Sequence, residues 1–174
     1  MEAMTYRLIV MRHAQAGELP GGPDSERALR ERGRRDAGAA GRWLRGNGFV
    51  PEAVICSSAR RTRQTWQYLS AELGPGGGPG PGAGPGPACT ADPRLYRADV
   101  ADLLEIIAET AAPVASLMYI GHNPAAAQLA ADLTEARPDF PAAAIAVIDL
   151  AGPWADIAPG AGELVATWIP GQDG

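Results

Sequence analysis

Arg12 and His13 stand together at the end of a short apolar run, Leu8–Met11. A run of that length and β-branched content reads as a buried strand. The carboxyl end of such a strand in an α/β sheet is where ligands bind. The chain has two histidines, and the second, His122, also follows an apolar run, Val114–Ile120, and precedes a helix signal. A third segment, Ser57–Thr65, carries Arg60, Arg61 and Arg63 at the start of another predicted helix.

These residues suit phosphoryl chemistry. Arg12 and one of Arg60, Arg61 or Arg63 can fork onto phosphoryl oxygens, whose geometry matches a guanidinium. The helix N-termini after Ser57 and His122 add free amides and partial positive charge. A neutral imidazole attacking phosphorus forms a phosphohistidine and divides one difficult step into two. Neighbouring arginines are expected to hold its pKa low, leaving it unprotonated at neutral pH. The other histidine would then stabilise the equatorial oxygens.

This chemistry calls for no cofactor and no metal. Two cysteines and two histidines make neither a metal-ligand cluster nor a disulfide framework. All 15 basic residues are arginine, which excludes a P-loop lysine and a Schiff-base lysine. Thr62 and Leu95 stand where a cysteine-phosphatase loop would place its arginine after Cys56 or Cys89. Cys56 therefore reads as a small buried residue at a strand end.

The elements that must position these groups alternate. Tyr6–Met11 reads as a strand, and Ser25–Gly46 as a helix interrupted at Gly33. Ala53–Cys56 follows as a strand, with Ser57 and Ser58 as N-caps for a helix over Ala59–Leu73. Residues 74–88 are a Gly/Pro-rich stretch, expected to be flexible and to act as an insertion, not a domain boundary. Beyond it come a helix (Asp99–Thr110), a central strand (Val114–Ile120), and a helix (Pro124–Leu133). Strands Ala143–Leu150 and Glu163–Ile169 close the count, the last alternating as an edge strand does. Such alternation predicts a three-layer α/β/α sandwich around a mostly parallel sheet.

With 174 residues the chain is expected to form one domain, 1–174, with a substantial core. A net charge of −5 gives no reason to expect a nucleic-acid partner. No apolar run suits a membrane span, and residues 1–7 carry no signal-peptide pattern, so a cytoplasmic location is expected. The oligomeric state stays open.

Several segments resemble the histidine phosphatase superfamily, whose fold is phosphoglycerate mutase-like. Leu8–Ala16 is similar to its Arg-His-Gly signature, with Ala14 in place of glycine. Ser57–Thr65 is similar to its Ser-Pro-x-x-Arg-x-x-Gln-Thr segment. Gly121–Pro124 resembles the second-histidine motif of the SixA-type phosphohistidine phosphatase branch. Asp24–Gly33 resembles that branch's Asp-x-x-Arg-Pro-Leu segment, with Ala28 replacing proline, and Leu95-Tyr96 its Leu-Tyr element.

The resemblance implies that His13 is the phosphate-accepting nucleophile and that Arg12, Arg61 and His122 form the phosphate cage. It makes Arg27 a substrate contact, leaves Arg60 and Arg63 as surface charges, and fits Asn123 for helix capping. The general acid is not marked by any motif; Asp99 and Glu18 are the candidates. A site poor in acid suits phosphoramidates, because imidazole leaves readily where an alkoxide needs a proton. Short gaps between motifs leave little chain for a cap over the site. The expected activity is therefore removal of phosphate from a protein histidine. A broad small-molecule phosphomonoesterase, with a small phosphorylated substrate, and an inert phospho-ligand-binding module are the alternatives.

Overall fold

A computed structural model describes residues 3–74 and 87–172. Its strands are β1 (Tyr6–Arg12), β2 (Ala53–Ser57), β3 (Ala88–Asp92), β4 (Ser116–Gly121), β5 (Ile145–Leu150) and β6 (Gly162–Trp168). Its helices are α1 (Glu31–Gly46), α2 (Arg60–Ser70), α3 (Val100–Ala108) and α4 (Ala125–Thr134).

The strands form one sheet in the order β3-β2-β4-β1-β5-β6. β3, β2, β4 and β1 run parallel, and β5 is antiparallel to both its neighbours. β1 shows why its sequence is continuously apolar. Ile9 and Met11 pack with α1 and α2 on one face, against Ala37, Leu44 and Leu69. Leu8 and Val10 pack with α3 and α4 on the other, against Leu103, Ile107 and Leu129. A strand covered on both faces has no polar side to display. The predicted three-layer α/β/α arrangement with a mostly parallel sheet is the arrangement found. No helix among the described residues is long and apolar enough to cross a membrane.

Four local expectations change. The helix predicted over Ser25–Gly46 splits into a 3-10 turn at Asp24–Glu26, an extended stretch, and α1 from Glu31. Distant partners win there. The Leu29 N–H donates to Gln64 Oε1 at 2.8 Å, and the Arg30 N–H to the Gln15 carbonyl at 3.0 Å. Those bonds hold the chain extended against its helical propensity.

α1 also runs straight through Gly33 instead of breaking at it. A Cβ at Gly33 would collide with the Gln15 carbonyl, so glycine here permits close packing of helix on loop.

Ser57 and Ser58 do not cap α2 by the usual bond; the N-cap is Ala59, without a side-chain bond. Ser57 Oγ instead accepts from the Ala59 N–H at 3.2 Å and faces His122.

Finally, Ala88 opens β3, a parallel strand beside β2 that the Gly/Pro composition concealed. The flexibility expected of the Gly/Pro stretch falls on residues 75–86, outside the described residues. Cys56 is buried as expected, with its Sγ 3.9 Å from that of Cys89 on β3.

Candidate active site

The parallel strands end level with one another: Arg12 is paired with Gly121 across β1 and β4. His13 and His122, each the residue that follows its strand, therefore emerge side by side. Their ring centroids are 5.3 Å apart. Arg61 reaches the same place from the first turn of α2. Arg12, His13, Arg61 and His122 line one pocket of about 350 Å³, together with Arg27 and Asn123. The same pocket contains Asp24, Tyr96 and Arg97.

His13 is held from both sides. Its N–H donates to the Gly121 carbonyl at 2.9 Å, and its carbonyl accepts from the Ala143 N–H at 3.1 Å. The ring Nδ1 lies 2.8 Å from the Ala14 carbonyl oxygen. A carbonyl can only accept, so Nδ1 carries the proton and Nε2 keeps its lone pair. The Ala14 N–H donates to Thr65 Oγ1 at 3.0 Å, and that hydroxyl donates to the Arg61 carbonyl at 2.7 Å. One hydroxyl thus ties the loop bearing His13 to the helix bearing Arg61.

Burial pushes the His13 pKa down to about 3, against the opposing bond to Ala14. His122, Arg61 and Arg12 lower it further. The arginines expected to be the cause act, but after desolvation. His122 is likewise pushed down, to about 4, by burial first and then by Arg61.

His122 Nδ1 lies 3.3 Å from Arg61 Nη2. A guanidinium only donates, so Nδ1 accepts and Nε2–H donates to Ser57 Oγ at 2.8 Å. The Tyr96 ring meets His122 edge-on at 5.5 Å.

Arg61 is 7% exposed. Its Nη1 donates to the Asp24 carbonyl at 2.9 Å and its Nη2 to Asp24 Oδ2 at 3.0 Å. The Arg12 Nη1 donates to the Phe140 carbonyl at 3.3 Å. Arg12, Arg27 and Arg61 each keep a buried Nε with no hydrogen-bond partner. Orphaned buried donors are costly. Arg27 Nε lies 3.4 Å from Asp24 Oδ1, and the three guanidinium groups together give the pocket a positive lining suited to an oxyanion.

Asn123 bridges two elements. Its Nδ2 donates to the Phe140 carbonyl at 2.8 Å, and its Oδ1 accepts from the Ala127 N–H at 3.3 Å inside α4.

Glu18 and Asp99 are not brought into this pocket. Asp99 caps α3, accepting from the Asp102 N–H at 2.9 Å while the Asp102 carboxylate accepts from the Asp99 N–H. Arg60 and Arg63 also lie outside the pocket lining, and Arg63 Nε donates to the Ser58 carbonyl at 3.0 Å.

The carboxylate that does line the pocket is Asp24. The Tyr96 hydroxyl donates to it, and with Arg61 holds its pKa below the usual carboxylate value despite desolvation. Asp24 and Tyr96 lay within the motif segments quoted above without an assigned role, and Arg97 had no signal at all. No group of three His, Cys, Asp or Glu able to hold a metal ion occurs among the described residues.

The sequence matches the histidine phosphatase superfamily (branch 1) over residues 8–77, a span containing Arg12, His13 and Arg61. An uncharacterised protein of Mycobacterium tuberculosis (strain ATCC 25618 / H37Rv) is 36% identical over 171 residues, covering 92% of this chain and 99% of its own. A chain from Nakamurella multipartitia, described as a putative phosphohistidine phosphatase SixA, superimposes with a TM-score of 0.81 at 30% identity. That match covers 97% of this chain and 98% of the other. The protein histidine phosphatase SixA in complex with tungstate gives a TM-score of 0.70 at 27% identity, over 92% and 95% of the two chains. At such identity over nearly the whole length, this chain belongs to the histidine phosphatase superfamily, in its SixA-type branch.

Proposed function

We propose that this chain hydrolyses phosphohistidine on a partner protein through a covalent phosphohistidine at His13. The observation that carries the reading is the state of Asp24. It is the carboxylate lining the pocket, and Tyr96 and Arg61 hold it ionised. An ester must leave as an alkoxide and needs a proton that an ionised Asp24 does not supply. A phosphoimidazole protonated on its free ring nitrogen leaves as neutral imidazole and needs none. The tungstate-bound relative, a protein histidine phosphatase, supports the same reading.

In the proposed reaction His13 Nε2 attacks phosphorus in line with the scissile P–N bond, and that electron pair departs with the substrate's imidazole. The positive charge developing on the His13 ring is met by the Ala14 carbonyl at Nδ1. Arg12 and Arg61 balance the equatorial oxygens. A dianion seated against His122 favours its imidazolium form, so His122 can donate from both ring nitrogens once substrate is bound. Water then takes the phosphoryl group as inorganic phosphate and returns Nε2 to its starting state.

The test is phosphate release from a phosphohistidine-bearing protein and from an alkyl phosphate ester such as glycerol 3-phosphate, whose alkoxide needs a proton to leave, with His13→Ala as the blank. Preferred turnover of the phosphohistidine substrate, unaffected by a chelator and abolished in His13→Ala, is expected. Comparable or faster turnover of the ester makes the chain a phosphomonoesterase instead. Retention of most of the rate in His13→Ala overturns the covalent mechanism.

A further inference from the structure

We infer that Arg97, assisted by Arg27, forms a subsite for a second anionic group on the molecule that delivers the phosphoryl group. On a protein substrate this group is an acidic side chain beside the phosphohistidine. The inference rests on the phosphatase reading above.

Charge is the first argument. Four guanidinium groups line the pocket against one carboxylate, Asp24. Both histidines are neutral when the pocket is free. A phosphoryl group brings at most about two negative charges. The pocket is left with an excess of roughly one positive charge, or two once His122 is protonated, that the phosphoryl group does not answer.

Placement is the second. Arg12 and Arg61 flank the histidines and serve the phosphoryl oxygens. Arg97 is exposed at the rim, where its guanidinium carbon lies 5.8 Å from the centroid of the Tyr96 ring. Arg61 approaches that same ring at 5.9 Å. Arg61 is committed to Asp24, whereas Arg97 makes no side-chain hydrogen bond or ion pair among the described residues. Arg94, on the same short segment, shows the contrast: Asp92 and Glu109 hold it at 2.8 to 2.9 Å. Arg27 stands beside it in the pocket lining with its guanidinium partly exposed, ion-paired with Asp24 at 3.4 Å, and adds positive charge to the subsite.

The chain as a whole carries a charge of −5. An acidic partner is therefore repelled by most of the surface and attracted at this rim, which gives orientation as well as affinity.

The experiment compares kcat/KM for three phosphohistidine peptides that differ only in the residue beside the phosphohistidine: Asp, Ala or Arg. Wild type is expected to favour the Asp peptide over the Ala peptide by about five-fold at low salt, a preference that shrinks as salt rises. Arg97→Glu is expected to reverse the order in favour of the Arg peptide, and Arg97→Gln to bring the three values together. Equal use of all three peptides by wild type overturns the subsite, as does an equal loss on all three in Arg97→Glu. A second arm uses 3-phosphoglycerate against glycerol 3-phosphate. If the peptides are not turned over but the phosphorylated acid is preferred, and Arg97→Glu removes that preference, the subsite stands and the protein-substrate reading falls. Indifference in both arms overturns the inference irrespective of which substrate is used.

Discussion

Asp24 Oδ2 and Arg61 Nη2 lie 3.0 Å apart, so a carboxylate of the protein occupies the guanidinium proposed to bind the phosphoryl group. The Tyr96 hydroxyl steadies that carboxylate from the other side. Asp24 is thus a resident anion on Arg61, and on the proposed reading an incoming phosphoryl group competes with it.

Replacing Asp24 by Asn removes the competing charge and keeps the shape. Tungstate should then bind about two- to five-fold more tightly, the scale expected for a partly exposed ion pair. Calorimetric titration of both proteins measures it. Weaker binding in Asp24→Asn would mean that the carboxylate's work in orienting Arg61 outweighs its competition.

Ser57 accepts the Nε2 proton of His122 from within a fully buried position. Ser57→Ala leaves that N–H unpaired and the ring free to turn. The expected result is a fall in kcat of about ten-fold with KM nearly unchanged, at a stability cost of about 1–3 kcal/mol. Steady-state kinetics and thermal melts separate the two effects; an unchanged kcat would remove Ser57 from the positioning of His122.

Acid should weaken the fold through the two histidines. Burial holds His13 at about 3 and His122 at about 4, against 6.5 for the unperturbed ring. Between pH 6.5 and 4 the unfolded chain binds protons that the folded chain does not. Stability from this source is therefore complete above pH 6.5 and declines as pH falls through that window. Roughly 3 kcal/mol is at stake for each histidine by pH 4. His13→Asn should flatten the Tm-versus-pH curve over this range relative to wild type, and parallel curves would show that His13 is not held neutral by the fold.

Gly33→Ala places a methyl group against the Gln15 carbonyl where α1 crosses the loop that follows His13. A backbone contact cannot rotate away, so a loss of about 1–3 kcal/mol in denaturant unfolding is expected. Because Gln15 lies two residues from His13, kcat should fall as well. An unchanged unfolding midpoint would show that the helix shifts freely.

Arg12, His13 and His122 are legible from sequence because each stands where an apolar strand ends, and strand ends share one edge of a parallel sheet. The apolar runs also convey the layering, since Leu8–Met11 has a buried residue at every position. What was not legible depends on contacts between segments far apart in the chain. Asp24 meets Arg61 only because Gln64 and Gln15 hold Leu29 and Arg30 extended and so fold the 3-10 turn over the pocket. Arg97 enters with the short turn after β3, a strand whose Cys89, Thr90 and Ala91 are exposed and therefore show no apolar pattern. Ser57 looked like a cap because its type and place fit one; the proton on His122 Nε2 takes it instead.

The pairing of Arg12 with Gly121 has a consequence for how this architecture tolerates change. The separation of the two histidines is a repeat distance of the hydrogen-bonded ladder, not the product of the more than one hundred residues threaded between them. Insertions or deletions in the intervening connections alter the cost of closing those loops only logarithmically. They leave the spacing of the two imidazole rings untouched. Such a site is robust to length variation and sensitive to strand register: a one-residue slip of β4 against β1 would remove His122 from His13 while every loop stayed the same.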